Sequence, residues 1–528
     1  MNRPNGVQVP VWIVARIGFG ALAGFTFVTR LMCLPVVRES NLTPDGARFL
    51  NIARCIGRGQ GFATPEAWPA WMSPASLPMP ETFKEPGYPY AIAALTRLTH
   101  DPFRAAQDVS FLAGLLLPFA VLALGRRLSP GPLVGVVAAL LCAASPLMIQ
   151  LSSYAMAESV LALMLTLAFL AAAPRVAAEG AFETPGAARP ADFLAGACFG
   201  LAFLIRAQTA LALPALGALL LVAASGRVRL ARVALAALGA AIAVLPLVVR
   251  NLRLFGAPFH SDVAAFGLWP YVDQFALVHS LERPPSATAY ALAHLPEVAR
   301  HLARGAVDFV RGTLWRDLMG SMLWLVPLGV GGWAAARRWR VWGFAILLVV
   351  PTALFILSLN WVARYFASVV PILCLIAGLG VAAIVRRMAT WEFARKYAMG
   401  FIVPASFPLF ISADKAIENA GPTYTPEIVA ARSEAPFLRA HLAPGEAVMA
   451  EMTSYWAWWS DRPAVYPVVA DSARFTEVMR RLRVRYAALP TSRLAEFASR
   501  YPGGRLPAAL KLDHEDRERD VTVFELRP

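Results

Sequence analysis

Residues 41–62, NLTPDGARFLNIARCIGRGQGF, decide how this chain is read. They follow a long apolar run, Val11 to Leu34, and place an acid, Asp45, where hydrocarbon should give way to water. Thr43-Pro44-Asp45 has the form of a helix start, with proline at the first helical position. Arg48, Asn51, Arg54 and Arg58 then recur at helical spacing, with Phe49, Leu50, Ile52, Ala53 and Ile56 between them. That pattern predicts an amphipathic helix suited to the membrane interface. A second interfacial helix is expected from Pro89 to about Leu98.

The rest of the chain explains why this stretch stands out. Of 528 residues, 58% are hydrophobic and 16% charged, against about a quarter charged in a soluble protein. The apolar residues come in runs of about 17–25, enough to cross ~30 Å of hydrocarbon. The chain therefore reads as a polytopic membrane protein. Its net charge of +15 does not indicate nucleic acid, because the arginines cluster in short loops between apolar runs. Arg126–Arg127, Arg227/Arg229/Arg232, Arg337/Arg338/Arg340 and Arg386–Arg387 with Arg395 form the positive-inside pattern. Only four residues are lysine. Cys33, Cys142, Cys198 and Cys374 fall in or at the end of apolar runs, so no disulfide framework follows. Val11–Leu34 is too long for the apolar core of a signal peptide and reads as an uncleaved anchor.

Eleven spans are expected, at 11–34, 108–125, 132–149, 158–173, 192–207, 209–225, 231–249, 318–336, 341–358, 366–385 and 397–413. With the N-terminus in the cytoplasm, alternation puts every arginine cluster there, together with the loop 174–191. The same alternation puts 35–107, 150–157, 250–317 and 414–528 outside. The expected organisation is a membrane domain, 1–421, with external loops 35–107 and 250–317, and a C-terminal external domain, 422–528. That tail alternates helical patterns (Pro426–His441, Ser472–Leu482) with strand-like runs (Ala447–Ala450, Ala464–Val469, Tyr486–Leu489, Val521–Phe524), which predicts a small α/β fold. No P-loop or internal repeat is present, which weighs against an ATP-driven pump or a typical secondary transporter.

Three groups of residues carry chemistry on the predicted external face. Asp45 suits a general base, being partly desolvated yet reachable from water, although an acid in a first helical turn is also ordinary dipole complementation. Lys84 lies in the proline-bracketed turn Lys84-Glu85-Pro86-Gly87-Tyr88-Pro89, a compact charge suited to a phosphate oxygen. Its bland reading is a solubilising loop lysine. Glu158 stands at the external start of a span, where an ionisable group is costly and hence a functional candidate. Arg206, Arg250 with Asn251, and Arg364 with Tyr365 mark the external ends of other spans. Each arginine alone is explained by snorkelling to headgroups; converging, they form an anion clamp. Seven scattered histidines, His260 among them, show no metal-site spacing, and no GxSxG or CxxC motif is present.

The order of these pieces resembles a known family. P-D-x-x-x-(aromatic)-x-x-x-A-R-x-x-x-x-G-x-G-(aromatic) at 44–62, the basic-P-x-Y-P feature at Lys84 and the Ser145-Pro146 to Ser152 pattern before Glu158 are similar to the dolichyl-phosphate-mannose protein mannosyltransferase-like superfamily. L-x-R, R-N-x-x-x-x-G and R-Y at Arg206, Arg250 and Arg364 extend the likeness over about 10–385. That superfamily includes the lipid A aminoarabinose transferase. The resemblance implies a GT-C fold and a bacterial inner-membrane enzyme moving a sugar from a polyprenyl-phosphate donor to a lipid, glycan or protein acceptor at the outer face. It further implies inversion with Asp45 as base, Glu158 positioning substrate or raising the Asp45 pKa, and Lys84, Arg206 and Arg364 holding the lipid phosphate. Arg48, Tyr88, Arg250, Asn251 and Tyr365 are expected to contact substrate. No cofactor is expected, and a divalent-metal requirement is left open. The sequence departs from the family at Gly46 (often a second acid), Phe49 (commonly tyrosine) and Glu85 (often proline or neutral). A lipid-linked sugar transporter, a non-catalytic envelope-assembly subunit and an enzyme resembling the O-antigen ligases remain as alternative readings.

Overall fold

The computed structural model describes residues 11–527 except 36, 38, 68–69, 73, 177–186, 223, 360–361, 389–413, 415 and 418–424. Its membrane-type helices are α1 (Val11–Cys33), α4 (Pro102–Leu128), α5 (Pro132–Ala144), α6 (Pro146–Leu151), α7 (Glu158–Ala172), α8 (Pro190–Ile205), α9 (Leu213–Val222), α10 (Gly226–Phe255), α14 (Leu325–Arg337), α15 (Trp339–Ser358) and α16 (Val370–Met388). Between α1 and α4 lie α2 (Pro44–Gly57) and α3 (Gly87–Thr99); α11 (Gln274–His279), α12 (Ala287–Ala293) and α13 (Leu295–Asp308) follow α10. Among the described residues four helices, α4, α10, α15 and α16, are long and apolar enough to cross a membrane. A fifth candidate is the pair Leu295–Leu318 and Met322–Arg337, bent by 105°. Other expected spans coincide with shorter apolar helices, and 397–413 lies outside the described residues. The run 132–149 is split at Ser145–Pro146 because proline brings no N–H to continue a helix.

Small residues bring these helices close together. A Cβ on Gly380 of α16 would collide with the Pro327 carbonyl oxygen of α14, and one on Gly331 with the Ile376 carbonyl. Gly196 of α8 meets Ala236 of α10 in the same way. Such backbone contact is how apolar helices gain packing energy where no hydrophobic drive separates them from lipid. Gly380→Ala is therefore expected to cost about 1–3 kcal/mol through overpacking. Thermal unfolding in detergent measures this, and an unchanged midpoint would contradict the contact.

The tail forms α17 (Pro426–His441), β4 (Ala447–Ala450), α18 (Thr453–Ser460), β5 (Ala464–Val465), α19 (Ser472–Arg481), β6 (Val484–Leu489), α20 (Leu494–Arg500), β7 (Leu510–Asp516) and β8 (Val521–Leu526). Of the expected run 464–469 only Ala464–Val465 form a strand, since Pro467 cannot donate to a ladder, and Val469 makes an isolated bridge to Ser280. The sheet does not stop at the tail. Its order is β2-β5-β4-β6-β8-β7, and β2 (Glu66–Ala67) belongs to the first long loop, with Glu66 opposite Ala464 and Ala67 opposite Val465 in parallel. The expected boundary at 421/422 is thus crossed by a shared sheet.

This docking corrects one expectation. The polar face of α2 is turned toward protein rather than lipid headgroups, and Gly46 to Ala53 and Cys55 are all buried. Asn51 Nδ2 donates to the Ser454 carbonyl at 2.9 Å, and Arg54 Nη1 reaches Asp461 at 3.0 Å. The polar stripe that reads as an interfacial face is a seam with the tail.

Candidate functional site

The site is built at helix ends. Thr43 caps α2, its hydroxyl accepting from the Gly46 N–H at 3.0 Å, and Pro44 follows, so Asp45 falls in the first turn. Gly46 is tightly packed here: a Cβ would stand 3.0 Å from the Ala155 carbonyl oxygen and 3.0 Å from Leu42 Cδ1, so a larger residue needs its neighbours to give by a few tenths of an ångström. Phe49 is buried edge-on to Tyr88, 5.1 Å between ring centres.

Lys84 reaches Asp45 from the turn after β3 (Met79–Pro80). Its Nζ lies 2.6 Å from Asp45 Oδ1, and Arg364 Nη2, on the turn before α16, lies 2.6 Å from Asp45 Oδ2. Each oxygen of the carboxylate thus has its own cation. Beside them Arg206, at the end of α8, pairs with Glu158 at the start of α7. The Tyr365 ring lies 5.3 Å from the Arg206 guanidinium and 5.1 Å from that of Arg364. Glu85 accounts for its own place in the sequence: its carboxylate accepts the Ala207 N–H at 2.9 Å, tying the Lys84 turn to the Arg206 corner.

Asp45, Glu158, Lys84, Arg206 and Arg364 sum to one excess positive charge, which an ionised Glu85 beside them balances. Nε of Arg206, Nε of Arg364 and Oε2 of Glu158 are buried without partners among the described residues. A partly buried group of three cations with unused donors suits an anion. Burial opposes ionisation of Asp45, but Lys84, then Arg364 and Arg206, outweigh it and hold the carboxyl well below the usual carboxylate range. This corrects the expectation that Glu158 raises it by like charge.

Other expected site residues have different employment. Arg48 is buried and forks onto Glu81, Nε–Oε2 3.1 Å and Nη2–Oε1 3.0 Å, with Glu66 at 3.6 Å. The Tyr88 hydroxyl donates to the Ala106 carbonyl at 2.9 Å and meets Ser110 Oγ at 2.8 Å. Neither is presented to a substrate. Arg250 donates to the carbonyls of Phe62 and Glu81, both at 3.0 Å, and Asn251 to that of Pro258 at 3.2 Å. Arg250 also lines a largely apolar groove of about 790 Å³ between α3, α8 and α10, whose wall includes Pro86, Gly87, Leu204 and Leu247.

Sequence reasoning missed the residues that hold the cluster in place. Glu81 accepts the N–H groups of Thr82 (3.1 Å), Phe83 (2.5 Å) and Lys84 (3.0 Å) while gripping Arg48, so one carboxylate joins α2 to the lysine turn. Glu66 accepts from Asn51 at 2.9 Å and from Ser454 at 2.6 Å, joining α2 to the tail. Acids in a loop carry no local pattern that announces such partners. Tyr455 of α18 is also buried within range of the charges of Asp45 and Arg364. His260 stacks on Phe255, ring centres 4.3 Å apart, and no group of three metal-ligating side chains occurs among the described residues.

Comparison with known proteins follows this geometry. Residues 80–252 match the sequence model of the dolichyl-phosphate-mannose-protein mannosyltransferase family, a segment that holds Lys84, Glu158 and Arg206 but neither Asp45 nor Arg364. The structure aligns over 98% of its length with 98% of ArnT from Cupriavidus metallidurans bound to undecaprenyl phosphate, at 13% identity and a TM-score of 0.56. The chain has the GT-C fold. A second GT-C structure, the archaeal oligosaccharyltransferase AglB from Archaeoglobus fulgidus with an inhibitory peptide and a dolichol-phosphate, aligns over 95% of this chain and 73% of its own. There the identity is 14% and the TM-score 0.61. The family and these GT-C neighbours are glycosyltransferases. No curated protein matches the chain by sequence.

Proposed function

We propose that the chain is an integral-membrane glycosyltransferase that moves a sugar from a polyprenyl-phosphate donor to an acceptor hydroxyl at the outer face of a bacterial inner membrane. The observation that carries this reading is the Asp45 carboxylate held at 2.6 Å by both Lys84 and Arg364. A carboxylate so neutralised is a weak base. A donor phosphodiester carries one charge, as the carboxylate does, but its departing oxygen gains a second as the anomeric bond breaks, so the phosphate becomes the stronger claimant for the same two cations. As Lys84 and Arg364 turn to the phosphate, Asp45 loses the charges that depress its pKa and becomes a competent base.

The reaction is then a single displacement. Asp45 takes the proton of the acceptor hydroxyl while that oxygen attacks the anomeric carbon from the face opposite the phosphate. The bond from the anomeric carbon to the phosphate oxygen breaks, and its electron pair leaves with the polyprenyl phosphate, stabilised by Lys84, Arg364 and Arg206. Glu158, held by Arg206, orients the sugar hydroxyls in this reading. The apolar groove beside Pro86 and Gly87 supports a path for the prenyl chain from the phosphate into the bilayer. The division into a membrane domain and a C-terminal external domain, with the tail covering α2, belongs to the same reading.

Transfer is tested in proteoliposomes given polyprenyl-phosphate sugar, by following free polyprenyl phosphate and glycosylated product. Mass spectrometry of envelope glycans and lipid-linked sugars in a deletion strain identifies both substrates. Movement of intact donor between leaflets with no product would replace the enzyme reading with that of a transporter.

A pH profile tests the clamp. kcat/KM for the donor reports the free enzyme, in which the Asp45 pKa is lowered, so the carboxylate stays charged and contributes no acid limb between about pH 5 and 8. Lys84→Gln is expected to bring such a limb toward that window. A limb already centred there in the wild type, and unmoved by the variant, would refute the clamp.

A further inference from the structure

A second cavity lies at the other end of the helix that carries Asp45. It encloses about 320 Å³ between the last turns of α2 and the tail, and its charged lining residues are Arg54, Arg58, Arg462 and Asp461. Three guanidinium groups thus face one carboxylate. Asp461 is shared: Arg58 Nη2 reaches its oxygens at 2.7 and 2.9 Å, and Arg54 Nη1 approaches at 3.0 Å. Arg462 is held at the wall through the carbonyls of Leu442 (3.0 Å) and Arg439 (3.2 Å).

A further observation points to a ligand. Asn51 lines the cavity, is almost wholly buried, and leaves its Oδ1 without a partner. Asp461 caps the end of α18 in the left-handed conformation at φ 56°, where aspartate and asparagine are enriched. Pro65, Pro78, Pro444 and Pro463 also line the cavity and fix its shape without a ligand. Burial pushes the thiol of Cys55 in its wall up to about 12, which disfavours the thiolate.

We infer that this cavity binds an anionic oxyacid group, a phosphomonoester or a sugar carboxylate, in competition with Asp461 for Arg58 and Arg54. Arg54 is nine residues from Asp45, which at 1.5 Å per residue puts the anion about 14 Å along α2 from the base. Resting on the transferase reading, the anion belongs to the acceptor: a negatively charged glycan that receives its new sugar two or three rings from its charged group.

Binding is measured first without any donor, so that it stands or falls separately from transfer. The background is a Lys84→Gln/Arg364→Gln protein, whose first anion site is disabled. Glucose 6-phosphate and glucuronate are the probes, with glucose as the neutral control, each titrated by calorimetry in detergent. One equivalent of at least one anion and no glucose should bind. Arg58→Gln should weaken that binding about tenfold, the loss of a charge-assisted contact. Asp461→Asn should tighten it, since asparagine keeps the left-handed backbone and removes the competing charge. If the ion pairs serve only to hold the tail, Asp461→Asn will destabilise the protein without gain in affinity, and the inference fails. It fails equally if neither anion binds or Arg58→Gln is silent. The preferred probe separates a phosphorylated from a uronate-bearing ligand. For the acceptor assignment, Arg58→Gln in otherwise wild-type protein should raise the KM for envelope glycan and leave slow donor hydrolysis unchanged. An unchanged KM leaves the anion site standing and removes it from the acceptor; absence of any glycosylated product from the wild type overturns the transferase reading instead.

Discussion

Asp45→Asn is expected to lower sugar transfer by about 10³-fold, within the range that removal of a general base produces, while the protein still folds and binds polyprenyl phosphate more tightly than the wild type. The two halves of this result come from one geometry. The amide cannot accept a proton from the acceptor hydroxyl, so the rate falls. It also no longer competes for Lys84 and Arg364, each 2.6 Å from a carboxylate oxygen, so the phosphate meets two unclaimed cations. Initial rates in proteoliposomes and equilibrium binding of undecaprenyl phosphate check the two separately. Full activity in the variant would remove Asp45 from the base role. Slow transfer with weakened binding would point instead to a carboxylate that merely props the cations in place.

Arg48→Met is expected to destabilise the fold by roughly 3–5 kcal/mol, the cost of stranding a buried charge. The charge left behind is that of Glu81, whose side chain is wholly shielded from solvent, and the Arg48 side chain is 4% exposed. Denaturant unfolding in detergent, followed by tryptophan fluorescence, measures the loss. A change below about 1 kcal/mol would mean that water reaches the pair and that its worth is that of a surface ion pair. Because the same Glu81 carboxylate holds the backbone of the Lys84 turn, the surviving folded fraction should also bind the donor less tightly.

The sequence made the ends of elements more legible than their company. Thr43-Pro44-Asp45 starts α2 where its capping chemistry says, and Pro426–His441 and Ala447–Ala450 appear with their expected bounds. Capping, proline and alternation are local, so they can be read locally. Asp45 and Arg364 were both singled out, but nothing in the chain says that they meet across 319 positions. Arg48 and Tyr88 were expected to face substrate because a polar residue at a membrane boundary has two physical explanations, a ligand or an internal partner, and spacing does not separate them. The two-residue strand Glu66–Ala67 left no trace in the sequence pattern, since its partner is about 400 residues away. β7 was missed as well, because its residues are mostly polar and none is fully buried. Gly46 and Glu85, which stood out as departures from the family, are accounted for by close packing on Ala155 and by the Ala207 N–H.

The strand Glu66–Ala67 at the edge of the tail's sheet has a consequence for biosynthesis. A ribosome finishes the first long loop hundreds of residues before it makes Ala464 and Val465, the strand neighbours of β2 in that sheet. Until then Glu66 lacks Ser454, Asn51 lacks its carbonyl acceptor, and the helix bearing Asp45 has one side uncovered. A nascent or C-terminally truncated chain therefore already holds Asp45, Lys84, Glu158, Arg206 and Arg364, but its α2 lacks the tail's half of the seam. The last hundred residues add no charge to that cluster; they brace the helix that carries its carboxylate.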